Sequence, residues 1–312
     1  IMKTRDRPNY RKKLVKTTTI SVAVLVAAIM ILSAIPTIAT PVNTTKMNKI
    51  ENKEILGDPT GLDPKLTEKS MLAPQQNFNV EPLGPLTDIM HGYIAYGGQE
   101  GPCYFPIADP GDITELAPTE SAYFLAGGSW TCDEEWYGCE YNSGGLWKMD
   151  PDDGSMEQVG GGGTVCNGMG WDPVYNRMYG ASSTGLYEYD IETGGQEFIG
   201  SFGLSGKTII GLAFNLEGRA FIWDVLFSGT STLWEVVDLT TGETEEVGSL
   251  GEPLVYAQDG AFDWGGETDD LYLTAYYSTG FLAVVDIETA ELTNLGNLNM
   301  EITASMFVAD CI

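Results

Sequence analysis

From residue 91 onward the chain alternates short apolar runs with polar turns. The runs are rich in aromatic and β-branched side chains and are bounded by Gly, Asn, Asp or Ser, the pattern of antiparallel strands. Four stretches nearly repeat one another: LWKMD from Leu146, LYEYD from Leu186, LWEVVD from Leu233 and LAVVD from Leu282, spaced 40, 47 and 49 residues apart. Each is followed by an acidic turn and a short run that ends near Gly160, Gly200, Gly248 or Gly296. Four strands to such a period is the arithmetic of a propeller blade. One full copy reads as strand a over 209–215, b over 219–226, c over 231–238 and d over 244–248, and further copies span 122–160, 164–200 and 258–296. The turns Asp150–Gly154, Asp190–Gly194 and Asp238–Gly242 place Gly where a tight turn needs positive φ, whereas Asp286–Ala290 lacks it. Near the start, 91–98, 103–108 and 113–117 supply strands b, c and d without an a, and 302–309 is a lone strand of a type. Joining them completes a fifth blade. The expectation is an all-β, five-bladed β-propeller of four-stranded antiparallel blades over 88–312, its ring closed by the C-terminal strand, which removes open edges.

The first 87 residues have a different pattern. Seven bases stand against Asp6 in residues 3–16, then an apolar run extends from Ile20 to Ile35 and stops at Pro36. This is the pattern of a signal peptide or membrane anchor, assigned to 1–40. Residues 41–87 are rich in Pro, Asn, Thr and Lys with little periodicity, which predicts a disordered linker. Asn43 opens an Asn-Thr-Thr glycosylation acceptor. Cleaved or not, the basic flank puts the propeller outside the cytoplasmic membrane, with membrane contact only through the N-terminal segment.

Charge narrows the partners. The whole chain carries −28, but from residue 88 onward four bases face 37 acids, a net of −33. A domain so acidic repels phosphate backbones, which argues against nucleic acid. Solubility on a crowded or salty cell exterior accounts for such acidity; the alternative is a structural calcium, since hard cations need clustered carboxylates and Asp150, Asp152 and Asp153 are the densest cluster, and no other cofactor is implied. Of the five cysteines, Cys132 and Cys139 flank the a–b hairpin of the second blade and are expected to form a disulfide; the pairing of Cys103, Cys166 and Cys311 stays open. With His91 as the one histidine and no Cys-x-x-Cys, a zinc site is not expected.

The segments GMGWDP (168–173), RMYG (177–180) and GLYEYDIETG (185–194) resemble the repeats of YVTN and quinoprotein-like propellers, common on secreted and surface proteins of archaea and bacteria. The resemblance covers about 225 residues and its motifs are structural. It implies a propeller with a ligand face and leaves the activity open. The seven tryptophans hold no constant blade position, unlike those of quinone-binding relatives, which argues against that cofactor.

In such a ring the a strands line the axis, and the d–a and b–c loops form the face where ligands bind. Those loops mix Gly, Ser and Thr with Tyr and Trp, a surface suited to sugars or a polypeptide loop. Trp223, Tyr256, Asp259, Tyr276 and Tyr277 are the candidate ligand contacts. No catalytic residue is assigned: His91 lacks a nucleophile motif. The reading is an extracytoplasmic, non-catalytic binding module for an envelope protein or glycan. The alternatives are a glycoside hydrolase using channel-mouth carboxylates, with Asp259 the nearest acid, or a structural subunit of a surface layer or sheath.

Overall fold

The computed structural model describes residues 89–265 and 270–309. The signal or anchor segment, the linker, Asn43, Asp310 and Cys311 lie outside the described residues.

Five four-stranded antiparallel sheets follow one another around a ring. Blade 1 contains β1 (Ile89–Tyr96), β2 (Gly101–Pro106), β3 (Thr114–Glu115) and, from the far end of the chain, β20 (Glu301–Met306). Blade 2 is β4 (Leu125–Trp130), β5 (Trp136–Glu140), β6 (Leu146–Met149) and β7 (Met156–Gly160). Blade 3 is β8 (Gly168–Asp172), β9 (Arg177–Ala181), β10 (Gly185–Tyr189) and β11 (Gln196–Ser201). Blade 4 is β12 (Ile209–Phe214), β13 (Ala220–Asp224), β14 (Thr232–Asp238) and β15 (Glu243–Ser249). Blade 5 is β16 (Asp259–Phe262), β17 (Leu271–Tyr276), β18 (Gly280–Val285) and β19 (Leu292–Asn297). The five blades and their four strands stand as the repeat implied. Blade 1 runs in the order β20-β1-β2-β3, with Ile94 opposite Ile302, so the last strand does close the ring.

Burial follows position within a blade. The inner strands β8 and β12 are buried throughout, whereas the outer β11 and β15 carry exposed Glu and Ser. The glycines that punctuated the repeat have a packing role. A Cβ on Gly160 would lie 2.0 Å from the Thr193 carbonyl, and one on Gly200 would lie 1.8 Å from that of Thr241. Gly296 meets Pro110 in the same way, at 2.7 Å, and Gly248 meets Thr289 at a looser 3.1 Å. In each case the c–d turn of the next blade packs on the end of the previous outer strand, where only a missing side chain leaves room. Ala290 takes the left-handed conformation, φ 61°, that Gly154, Gly194 and Gly242 take in the corresponding turns. The degenerate copy therefore keeps the turn and bears the backbone strain.

Tryptophans join neighbouring blades. Trp136 Nε1 donates to the Ala304 carbonyl at 3.0 Å, Trp130 Nε1 to that of Ala309 at 2.8 Å and Trp264 Nε1 to that of Phe214 at 2.9 Å. For these three of the seven tryptophans, position in the blade reflects a blade–blade junction.

The expected Cys132–Cys139 disulfide is corrected: Cys139 is a free, buried thiol. The register explains why. Trp130 pairs with Trp136 beside the a–b turn that holds Cys132, while Cys139 pairs with Gly127 towards the other end of the hairpin. There its Sγ accepts the Tyr189 hydroxyl at 3.0 Å.

Candidate ligand-binding face

The d–a and b–c loops share one face because they bond to each other. Leu250 N donates to the Ser231 carbonyl, Leu226 N to that of Leu254 and Val255 N to that of Tyr276, all at 2.8–2.9 Å.

Below this face the inner strands meet at Asp259. Asp259, the first residue of β16, is fully buried, and its Oδ2 accepts the amides of Gly128 (2.9 Å) and Ser305 (3.0 Å), binding inner strands of three blades together. Burial pushes its carboxyl well above the ordinary carboxylate range, although the amides of Gly128, Gly260 and Ser305 oppose the shift. Asp259 is thus buried among the inner strands and does not reach a surface ligand. Trp223 is likewise fully buried, its ring pressed over Gly211 and Gly260, where a Cβ would lie 1.9 Å and 3.0 Å from it. Both expected ligand contacts are therefore core residues. Inner strands of blades 1 and 2 hold Asp259, and the inner strands of blades 4 and 5 hold the Trp223 ring.

The candidate calcium cluster does not assemble. Asp150 Oδ1 caps the Asp152 amide and Asp153 Oδ1 caps that of Ser155, each at 2.8 Å, so two of the three carboxylates hold the c–d turn. Among the described residues no group of three or more His, Cys, Asp or Glu side chains converges as a metal site.

The three tyrosines do reach the face. Tyr256 packs edge-on against both Phe227 (centroids 5.7 Å, 79°) and Tyr276 (5.5 Å, 81°). Phe227 is 64 % exposed, Tyr256 and Tyr276 are partly buried, and the following Tyr277 is 50 % exposed, so the cluster is open to solvent along one side. Tyr96, 44 % exposed at the end of β1, pairs in register with Glu301. Tyr276 feels the charge of Glu301 and lies within the influence of Tyr256 and Tyr96. The Glu301 carboxylate accepts the Ala257 amide at 3.4 Å; burial raises its pKa to about 7, against a smaller lowering by that bond. Tyr256 itself has φ 60°, a conformation that a bulky side chain seldom adopts and that costs on the order of 1–3 kcal/mol.

The repeat explains why the rings gather at blade 5. The residues opposite Leu146, Leu186, Leu233 and Leu282 are Cys139, Ala181, Trp223 and Thr274. The next residue is Glu140, Ser182, Asp224 or Ala275. Glu140 binds Ser121 and Ser143, Ser182 bonds both ways with Gly185 (3.0 Å), and Asp224 holds the Thr232 amide (2.7 Å) and Lys207 (3.0 Å). Each thereby fixes its own b–c loop. Ala275 has no such group, the hairpin continues to the Tyr276–Gly280 pair, and the short turn carries Tyr276 and Tyr277 out to the face. Phe227, Tyr96 and Glu301 were not among the candidates; the loss of the polar residue at Ala275 was the available signal.

Neither family models nor curated protein sequences match this chain. Among solved structures, a chain of a nidogen/laminin complex aligns with a TM-score of 0.50 and 9 % identity, over 71 % of this chain and 98 % of that one. This likeness shows the fold. TolB from Acinetobacter baumannii aligns with a TM-score of 0.46 and 11 % identity, over 72 % of this chain and 67 % of its own.

Proposed function

We propose that this chain is an extracytoplasmic, non-catalytic propeller that binds an envelope ligand, protein or glycan, on the d–a/b–c face at the junction of blades 4, 5 and 1. The observation that carries the reading is the open Phe227–Tyr256–Tyr276 cluster, its central residue held at positive φ. Buried core rings are explained by burial; solvent-facing rings around a strained backbone are what a recognition site requires. The export assignment rests on the basic, then apolar, N-terminal pattern. The hydrolase alternative depended on Asp259, whose burial leaves that alternative without its leading acid.

The test is an array of envelope-type glycans and peptides probed with the full chain and with Phe227→Ser, a substitution at an exposed ring. Saturable binding that falls at least tenfold in the variant is the expected result. Binding that the variant leaves unchanged would move the site elsewhere on the ring.

A further inference from the structure

The binding reading leaves the chemistry of the ligand open, and the surroundings of Glu301 restrict it. The propeller has four bases, and each is engaged within the fold. Lys148 pairs with Glu135 (2.5 Å), Arg177 with Glu188 (3.1 Å), Lys207 with Asp224 (3.0 Å), and Arg219 with Glu235 (2.9 Å) and Glu288 (2.8 Å). Glu301 is partly buried at the start of β20; Tyr96 of β1 pairs with it in register, its carboxylate takes the amide of Ala257 next to Tyr256, and its charge is felt by Tyr276 of β17. Among the described residues no base forms an ion pair with it. The exposed acids Glu100, Glu120 and Glu252 on loops of the same face add negative potential. Aromatic faces attract cations through their quadrupole, and the attraction strengthens when the site is partly desolvated. A carboxylate among such rings completes a receptor for an organic cation, and a −33 domain steers cations towards it.

Building on the binding face proposed above, we propose that the Tyr96–Tyr256–Tyr276–Glu301 site receives a cationic side chain, lysine or arginine, presented by a protein partner. Phe227 extends the aromatic wall towards blade 4, where flanking apolar residues of the partner would rest. The pKa of Glu301 near 7 adds a consequence. A bound cation favours the ionised carboxyl, so affinity rises with pH across neutrality as free Glu301 loses its proton. The groups facing Glu301 are the tyrosines named above, of which burial raises the pKa of Tyr276, and the Ala257 amide, which does not titrate.

The test uses the full chain and capped pentapeptides that differ only at a central arginine, lysine or norleucine, titrated calorimetrically at physiological salt and at pH 6 and 8, with neutral oligosaccharides alongside. The expected result is that arginine and lysine peptides bind at least tenfold more tightly than norleucine. Their affinity should rise several-fold from pH 6 to pH 8, and Glu301→Gln, which keeps the acceptor for Ala257, should remove both effects. Phe227→Ser should weaken every peptide. Equal affinity for norleucine, or cation binding unchanged in Glu301→Gln, would overturn the proposal. Oligosaccharide binding lost in Phe227→Ser, without peptide binding, would overturn it while leaving the face in place. No Phe227-dependent binding by any probe would overturn both.

Discussion

Single residues in this chain carry charge in unlike ways. Asp259 sits on the axis with its folded pKa raised above the ordinary aspartate value of 3.8. A raised acid pKa means that the unfolded chain releases the proton more readily, so stability is full below the unfolded value and declines as pH rises towards the folded one. Asp259→Asn keeps a side-chain oxygen for the Gly128 and Ser305 amides without a titrating proton. The variant should therefore gain stability relative to the native chain as pH is raised from 4 to 8, read as the difference between their denaturation midpoints. A difference that shrinks over that range would show that Asp259 is ionised in the fold. Surface acids such as Asp190 and Asp286 behave oppositely. Turn hydrogen bonds, from Thr193 first for Asp190 and from the Glu288 amide first for Asp286, hold their pKa values below the ordinary range. Most of the excess acidity lies in such solvated positions, and the charge alone did not distinguish them from Asp259 or Glu301.

At the scale of the element, the strands were legible because their period, turn residues and aromatic content agree with one another, and the repeat gave several chances to read each one. The glycines at 160, 200, 248 and 296 appeared as punctuation, and packing gives their reason. Gly200→Ala would drive a methyl into the Thr241 carbonyl and should cost about 1–3 kcal/mol, the usual range for overpacking. Gly248→Ala, whose methyl would lie 3.1 Å from the Thr289 carbonyl, should cost less. Equal losses in chemical denaturation would mean that the c–d turns do not seat on these glycines. Where the sequence reading failed, it lacked register. Cys132 and Cys139 belong to one hairpin, yet the Trp130–Trp136 pairing sends them to different ends. Trp223 and Asp259 were placed near the right loops, but depth within a strand depends on what neighbouring blades lay over it. The same limit hid Glu301 and Tyr96, which are 205 positions apart and meet only because the last strand pairs with the first.

For the whole molecule, that pairing is the feature on which the ring depends. β20 is the inner strand of blade 1 and pairs with β1 in a closed sheet of four. Its Thr303 hydroxyl donates to the Tyr93 carbonyl at 3.2 Å and to that of Leu125 at 2.5 Å, which ties blade 1 to blade 2. Truncation after Leu298 would expose the edge of β1 and leave the Asp259 carboxyl without the Ser305 amide. We expect such a chain to lose its cooperative unfolding transition and to associate through the free edge, as followed by calorimetry and light scattering. A truncated monomer that still unfolds cooperatively would show that four blades suffice. Closure also assembles the face: blade 1 brings Tyr96 and Glu301 beside the rings of blades 4 and 5, so binding and ring integrity should be lost together.

In the function proposed above, the face around Tyr256 serves recognition and its backbone strain is retained for the ligand. Tyr256→Asn tests it most directly, because Asn accepts positive φ at lower cost and removes only a partly exposed ring. The variant should keep its stability within about 1 kcal/mol of the native chain, strain relief offsetting the lost ring contacts, while ligand binding falls at least tenfold. A variant that unfolds yet binds normally whenever folded would make Tyr256 a packing residue and contradict the account.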